Sequence, residues 1–287
     1  MVALRIHHRT TYRYHGPVTL GPHRLMLQPR ESKDVRLVAT DVTLTPQGTL
    51  RWAHDVFGNA VATATFGEPA DTLVIDSVAR VELSAAAYPV FDIAASAAKY
   101  PFRYSDDEWA DLGALAVQQY ADEGRLRSWA QAFVASNPTD TLSLLQDLNA
   151  GIANGIAYMA REDEGTQSPD QTLTLGQGSC RDLATLFVEA VRSLGLGARI
   201  VSGYLHDPSQ TLVGSADSGS THAWGEVYLP GAGWITFDPT NRRMGGANLI
   251  PVAVARDIRQ AMPVVGSFIG LQSDFQDMTV EVRVTPA

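Results

Sequence analysis

The sequence predicts an α+β protein: a β-rich first third, a helical stretch, and then a core in which one helix precedes several strands. Three observations carry this expectation. From Leu4 to about Ser84 short runs alternate apolar and polar residues between turn signals. After an alanine-rich stretch, Asp92 to Lys99, the apolar spacing becomes helical. A glycine-bounded helical block at 180–194 then gives way to β-branched and alternating segments up to Asp238.

The first runs are Leu4 to Tyr14, Arg36 to Leu44, Ala60 to Phe66 and Leu73 to Leu83, with turns expected at His15-Gly16-Pro17, Thr45-Pro46-Gln47-Gly48, Phe57-Gly58-Asn59 and Gly67-Glu68-Pro69. Strands at this spacing predict an antiparallel β-sandwich over residues 1–95. The remaining segment, 96–287, is read as a second unit. Ser105 and Glu108 have the form of a capping box, so helices are expected up to about Ser136. Leu142, Leu145, Leu148, Ile152 and Ile156 mark one face of another helix. Leu183, Leu186, Phe187, Ala190, Val191 and Leu194 mark a third, stopped by Gly195 and Gly197. Ala198 to Leu205 reads as a strand, 206–220 as a polar surface loop of the kind that acts as a lid, and Thr221 to Leu229 with Trp234 to Phe237 as a hairpin. Met278 to Val284 is expected to add an edge strand.

A chain of 287 residues that is 45% hydrophobic and 18% charged can bury a core without disulfides or metal. Its net charge of −9 and pI near 5.2 argue against nucleic acid and anionic membrane as partners. No apolar signal region and no run of about 18 apolar residues are present, so a cytoplasmic protein is expected. The single cysteine rules out an intramolecular disulfide and a thiolate-rich zinc site.

That cysteine, Cys180, follows Ser179, and Asp182 completes a Ser-x-x-acid cap, which puts the thiol in the first turn of a helix. The positive end of the helix dipole favours the thiolate there. A lone cysteine is usually a buried structural thiol. Against that, Cys180 stands at the helix start, off the apolar face that begins at Leu183. Downstream, His222 shares a strand face with Trp224, Glu226 and Tyr228, while Ala223, Gly225, Val227 and Leu229 share the other. A three-residue connection Pro230 to Ala232 sets Leu229 opposite Gly233, which puts His222 opposite Thr240 and one diagonal step from Asp238. A carboxylate at that separation can hold one imidazole nitrogen and leave the other for the thiol. Separately, His222 also reads as a strand histidine and Asp238 as a turn residue before Pro239; the constellation is what points to chemistry.

The segments Gly-Gln-Gly-Ser-Cys-Arg-Asp-Leu-Ala (176–184), Val-Ser-Gly-Tyr (201–204), Thr-His-Ala-Trp-Gly-Glu-Val-Tyr (221–228) and Gly-Trp-Ile-Thr-Phe-Asp-Pro-Thr (233–240) resemble the bacterial transglutaminase-like family. His8 to Tyr14 and Asp55 to Asn59 resemble the β-rich region that precedes its core. The resemblance implies a papain-like core, a helix carrying the thiol packed on an antiparallel sheet, and a triad of Cys180, His222 and Asp238. It also implies thiolate attack on the amide carbonyl of a peptide or protein and a thioester resolved by water or an amine, hence a cysteine peptidase or amidase, or alternatively an acyl-transferring transglutaminase. Some relatives have lost activity, so a non-catalytic peptide-binding module is the reading from a different class. Gln177 is the candidate second oxyanion donor beside the Cys180 N–H, and Trp224 reads either as a wall of the cleft or as a core aromatic of its strand. Ser179 stands where calcium-dependent animal transglutaminases carry Gln, so calcium is not carried over, and no cofactor or metal is expected. The sequence leaves the oligomeric state open. His7 and His8, adjacent on a strand, point to opposite faces and cannot chelate one metal together. The acidic run Glu162-Asp163-Glu164 reads as solvated loop.

Overall fold

The structure, a computed structural model, describes residues 1–160, 165–209, 211–214 and 219–287; the acidic run 162–164 and part of the expected 206–220 loop lie outside them. The first third forms β1 (Val2–Leu20), β2 (His23–Leu25), β3 (Val35–Thr45), β4 (Gly48–His54), β5 (Ala60–Phe66) and β6 (Ala70–Leu83). β6 lies between β1 and β3, and β5 between β2 and β4, all antiparallel. The period of two is plain in β6, where Leu73, Ile75, Ala79, Val81 and Leu83 are buried.

The expected turn at His15-Gly16-Pro17 is not one. β1 runs through it, and the pairing with β6 jumps from Arg13 opposite Thr72 to Val18 opposite Ala70. This is a bulge, and it tolerates Pro17 because the ladder needs no N–H there.

Next come a short ladder of β7 (Lys99–Tyr100) with β8 (Thr139–Asp140) and the helices α1 (Asp106–Leu112), α2 (Arg125–Gln131) and α3 (Thr141–Gly155). The capping box at α1 forms: Glu108 N–H donates to Ser105 Oγ (3.2 Å) and Ser105 N–H to Glu108 Oε2 (3.0 Å). In α3 the buried line is Leu144, Leu145, Leu148 and Ile152, with Leu142 only half-buried.

β9 (Ala157–Tyr158) then pairs in parallel with β10 (Gln177–Gly178), with α4 (Pro169–Leu175) between them. α5 (Cys180–Ser193) leads to a five-stranded sheet of β11 (Ala198–His206), β12 (Gly219–Leu229), β13 (Gly233–Asp238), β14 (Arg243–Met244) and β15 (Leu249–Ala255), in the order β14-β13-β12-β11-β15. The hairpin register is the one its three-residue connection dictates, Leu229 opposite Gly233 and Gly225 opposite Phe237.

α5 is enclosed on all sides, more than the single apolar face its spacing suggests. Glu189, Arg192 and Ser193 are buried along with the aliphatic residues. Arg192 donates to Glu189 Oε1 (2.6 Å) and to the carbonyls of Leu115, Ala198 and Arg256, while Glu189 Oε2 accepts from the Gln119 and Tyr120 N–H groups. A buried ion pair is tolerated when its remaining hydrogen-bonding groups are satisfied in this way.

The last strands do not stay with the segment that precedes them. β16 (Val264–Val265) pairs with β2, and β17 (Phe268–Ile269) and β18 (Phe275–Pro286) pair with β1, the last from Leu4 opposite Pro286 to Tyr14 opposite Phe275. A division at residue 95 therefore cuts across these sheets. Local patterning marks a strand but not its distant partner.

Leu4, Ile6, Val81 and Leu83 of the first sheet pack with Tyr204, Ile250 and Val252 of the core. Asn59 exchanges hydrogen bonds with Val254, Nδ2 to the carbonyl (2.8 Å) and the Val254 N–H to Oδ1 (2.9 Å), so one side chain acts as a strand partner on the outer edge of β15. His7 and His8 do point apart: His7 Nε2 meets Asp76 Oδ1 (2.9 Å), and His8 Nδ1 meets the Tyr204 hydroxyl (3.0 Å). Burial first, then the neighbouring His7, pushes the His8 pKa down to about 4, so it sits neutral in this contact.

Gly203 is paired with His222 across β11 and β12. A Cβ there would lie 2.1 Å from the Ile250 carbonyl oxygen and 2.8 Å from the Trp224 ring. Because backbone must move, Gly203→Ala is expected to destabilise by about 3 kcal/mol, the upper end for overpacking. A urea midpoint equal to wild type would contradict this.

Candidate active site

Cys180, His222 and Asp238 converge where β13 leaves its partner. The β12–β13 pairing ends at Gly225 opposite Phe237; before it no strand among the described residues pairs with β12 on that side, and the first turn of α5 comes in there, where the Ala223 N–H bonds the Cys180 sulfur. Ala223 and Gly225 face the helix; a Cβ on Gly225 would meet the Phe187 ring at 2.6 Å. His222 and Trp224 face the other way.

Asp182, fully buried, organises the helix start. Its Oδ2 accepts from Ser179 N–H (2.9 Å) and Oγ (2.8 Å), and its Oδ1 from Gln167 N–H (2.7 Å). The cap read from the sequence thus also anchors the segment before α4. Cys180 is half-buried as a residue.

His222 Nε2 donates to Asp238 Oδ2 at 2.9 Å, and both side chains are almost wholly buried. The other nitrogen, Nδ1, is left for the Cys180 thiol, and the two groups shift each other's pKa. Burial pushes the Cys180 pKa up, but the hydrogen bond and charge of His222, the Ala223 N–H and the Arg181 charge outweigh it, and the net direction is down. For His222 burial acts downward, and the Asp238 carboxylate, then the thiol, reverse it and raise the pKa to about 10. Asp238 is likewise pushed up by burial, then brought below the usual carboxylate range by His222 and Asn241. All three shifts favour thiolate, imidazolium and carboxylate together.

Trp224 does not wall an open cleft. It is 1% exposed, packed with Val201, Leu205, Leu249 and Val254, and its ring lies at 28° to the imidazole with centroids 6.1 Å apart. Its indole supports His222 from behind. Gln177 is half-buried on β10, three residues before the thiol.

Sequence reasoning missed three groups. The Ala223 N–H reaches the sulfur only because the β13 ladder stops short of it. Asn241 Nδ2 donates to Asp238 Oδ2 (2.9 Å), and its position three residues after the aspartate, in a turn, was the available signal. Tyr158, opposite Gly178 on β9, has its phenol pKa raised to about 12 by burial and by the neighbouring Cys180, so it remains a hydrogen-bond donor. Among the described residues no group of three His, Cys, Asp or Glu side chains is placed to hold a metal ion, and no helix is long and apolar enough to cross a membrane.

Residues 4–82 match the bacterial transglutaminase-like N-terminal region, and residues 127–239 match the transglutaminase-like superfamily. Uncharacterised proteins of Mycobacterium tuberculosis and Mycobacterium bovis are 30% identical over 300 residues, covering 98% of this chain and 92% of theirs. One from Mycobacterium leprae is 25% identical over 291 residues, covering 98% and 99%. A solved structure from Cytophaga hutchinsonii, described as a candidate cysteine protease, has the same fold, with a TM-score of 0.75 at 21% identity over 99% of this chain and 93% of that one. The chain belongs to the transglutaminase-like superfamily, with the bacterial N-terminal region, and its core is that of the papain-like thiol enzymes.

Proposed function

We propose that the protein hydrolyses amide bonds in peptide-like substrates, with Cys180 as nucleophile, His222 as general base and acid, and Asp238 as the residue that orients the imidazole. The observation that carries this reading is the buried Nε2 to Oδ2 hydrogen bond of 2.9 Å, which turns Nδ1 toward a thiol whose pKa is lowered.

The thiolate sulfur attacks the carbonyl carbon, and the C=O electrons move to oxygen. The Cys180 N–H at the helix start faces that oxyanion, with a second donor from the β9–β10 ladder, Gln177 or the Tyr158 hydroxyl. As the tetrahedral intermediate collapses, the C–N bond breaks and the leaving amine takes the proton of the imidazolium. Neutral His222 then removes a proton from water, which attacks the thioester and releases the carboxylate and the thiolate. An amine in place of water would give acyl transfer, and product analysis with an added primary amine separates the two.

The test needs no substrate. Iodoacetamide alkylation of Cys180 is expected to remain fast below pH 7, where an ordinary thiol with a pKa near 8.5 reacts slowly. If native and urea-unfolded protein show the same pH profile, the thiol is not activated and the binding-module reading takes over.

A further inference from the structure

The segment 211–214 touches the surroundings of all three proposed triad residues. Asn241 Oδ1 accepts the Val213 N–H at 2.8 Å, and Nδ2 donates to the oxygen of Asp238 that holds His222. Leu212 packs on the cluster that contains Trp224, whose ring backs the imidazole. Gly214, at φ +79°, passes close to the Tyr158 hydroxyl beside the thiol; a Cβ there would lie 3.0 Å from that oxygen. The segment is held in turn by Asp207, which accepts the Leu212 N–H (2.6 Å), and by Ser220 Oγ, which donates to the Gly214 carbonyl (2.6 Å).

We propose that Asn241 is a positioning residue that ties segment 211–214 to Asp238, so that the imidazole is correctly aimed only while the segment is docked. The inference rests on the proposed roles of the triad. Asp238 Oδ1 is already fixed by the backbone N–H groups of Thr240 (3.0 Å) and Asn241 (3.3 Å). The Asn241 side chain bonds the other oxygen, Oδ2, which already accepts from His222 Nε2. What it adds is a link: one amide group bonds the carboxylate with its nitrogen and the Val213 backbone with its oxygen. A ligand that lifts the segment would pull on the carboxylate, and a misaimed carboxylate would hold the segment less well.

The groups that face the imidazole are Cys180 from α5 and Asp238 from β13, with Arg181 and Tyr158 next to the sulfur. Loosening the imidazole weakens the interactions that lower the thiol pKa, so the acid limb of the alkylation profile must move to higher pH. In Asn241→Ala we expect alkylation at pH 6 to slow roughly tenfold, the size of one hydrogen bond to a charged group, and hydrogen exchange at the Val213 amide to accelerate. Val213→Pro removes the 2.8 Å hydrogen bond from the other end, leaving only the longer contact of Asn241 Nδ2 with the Val213 carbonyl (3.4 Å), and changes neither Asn241 nor the triad. It should shift the acid limb in the same direction, and the double variant should shift it no further. An unchanged profile in either single variant, or additive shifts in the double, overturns the link. An Asn241→Ala effect without faster Val213 exchange also overturns it, because the amide would then act on the carboxylate alone. If wild type itself lacks fast alkylation at pH 6, the activated-thiol reading fails before this one is reached.

Discussion

Replacing His222 with alanine is expected to lower turnover of an amide substrate by on the order of 10² to 10⁴, the span of a lost general acid and base. The direction follows from the balance at the sulfur. Burial raises the Cys180 pKa, and the two largest opposing contributions, a hydrogen bond and a positive charge, both come from His222. Without them the thiol rather than the thiolate is favoured, so alkylation at pH 6 should slow along with turnover. The departing amine also loses its proton donor, which is why turnover should fall further than alkylation. Stopped-flow alkylation and steady-state hydrolysis on the same preparation measure the two losses. Equal losses would mean that His222 sets the thiolate population and gives no proton to the leaving group.

Asp238→Ala should cost both stability and activity. Removing one partner of a buried pair leaves the other uncompensated, at about 3–5 kcal/mol. Here His222 loses its partner, and the Thr240 N–H and both Asn241 donors lose an acceptor. The pH dependence has a definite sign on each flank. Asp238 has a depressed pKa, so its contribution is present above about 3.9, the unfolded value, and is lost as pH falls through the folded one. His222 is raised to about 10, so the same pair's contribution is full below about 6.5 and is lost as pH rises from there through 10. Urea unfolding should therefore show the largest wild-type advantage between about pH 4 and 6.5, and a smaller one at pH 9.5. An advantage that does not shrink at pH 9.5 would show that the pair is not ionic.

Much of this arrangement was legible in the residues, because it is encoded locally. The register that brings His222 to Asp238 follows from three residues, Pro230 to Ala232, since loop length fixes which strand positions face each other. The start of α5 at Cys180 follows from a serine and an aspartate three apart. What escaped notice depends on chain segments that meet from far apart in the sequence. Trp224 was readable as cleft or core, and only the packing of Val201, Leu249 and Val254 around it decides for core. Gly16-Pro17 has turn composition but lies in a bulge, because β1 continues along β6 on both sides of it. The Ala223 N–H is invisible to side-chain reasoning, being a backbone group freed by the end of a ladder.

The pairing of β1 with β18 also has a consequence in time. During synthesis the chain emerges from its N-terminal side, and β18 trails β1 by roughly 250 residues, which at about 5–20 residues per second is of order 10–50 s. Throughout that interval one edge of β1 from Leu4 to Tyr14 has no strand beside it, although β6 is already available on the other. An open edge of this length is a template for pairing with another nascent chain. A growing chain thus passes through a stage in which its first sheet is three strands wide and unsealed, and the sheet closes only after the thiol, imidazole and carboxylate have all been made.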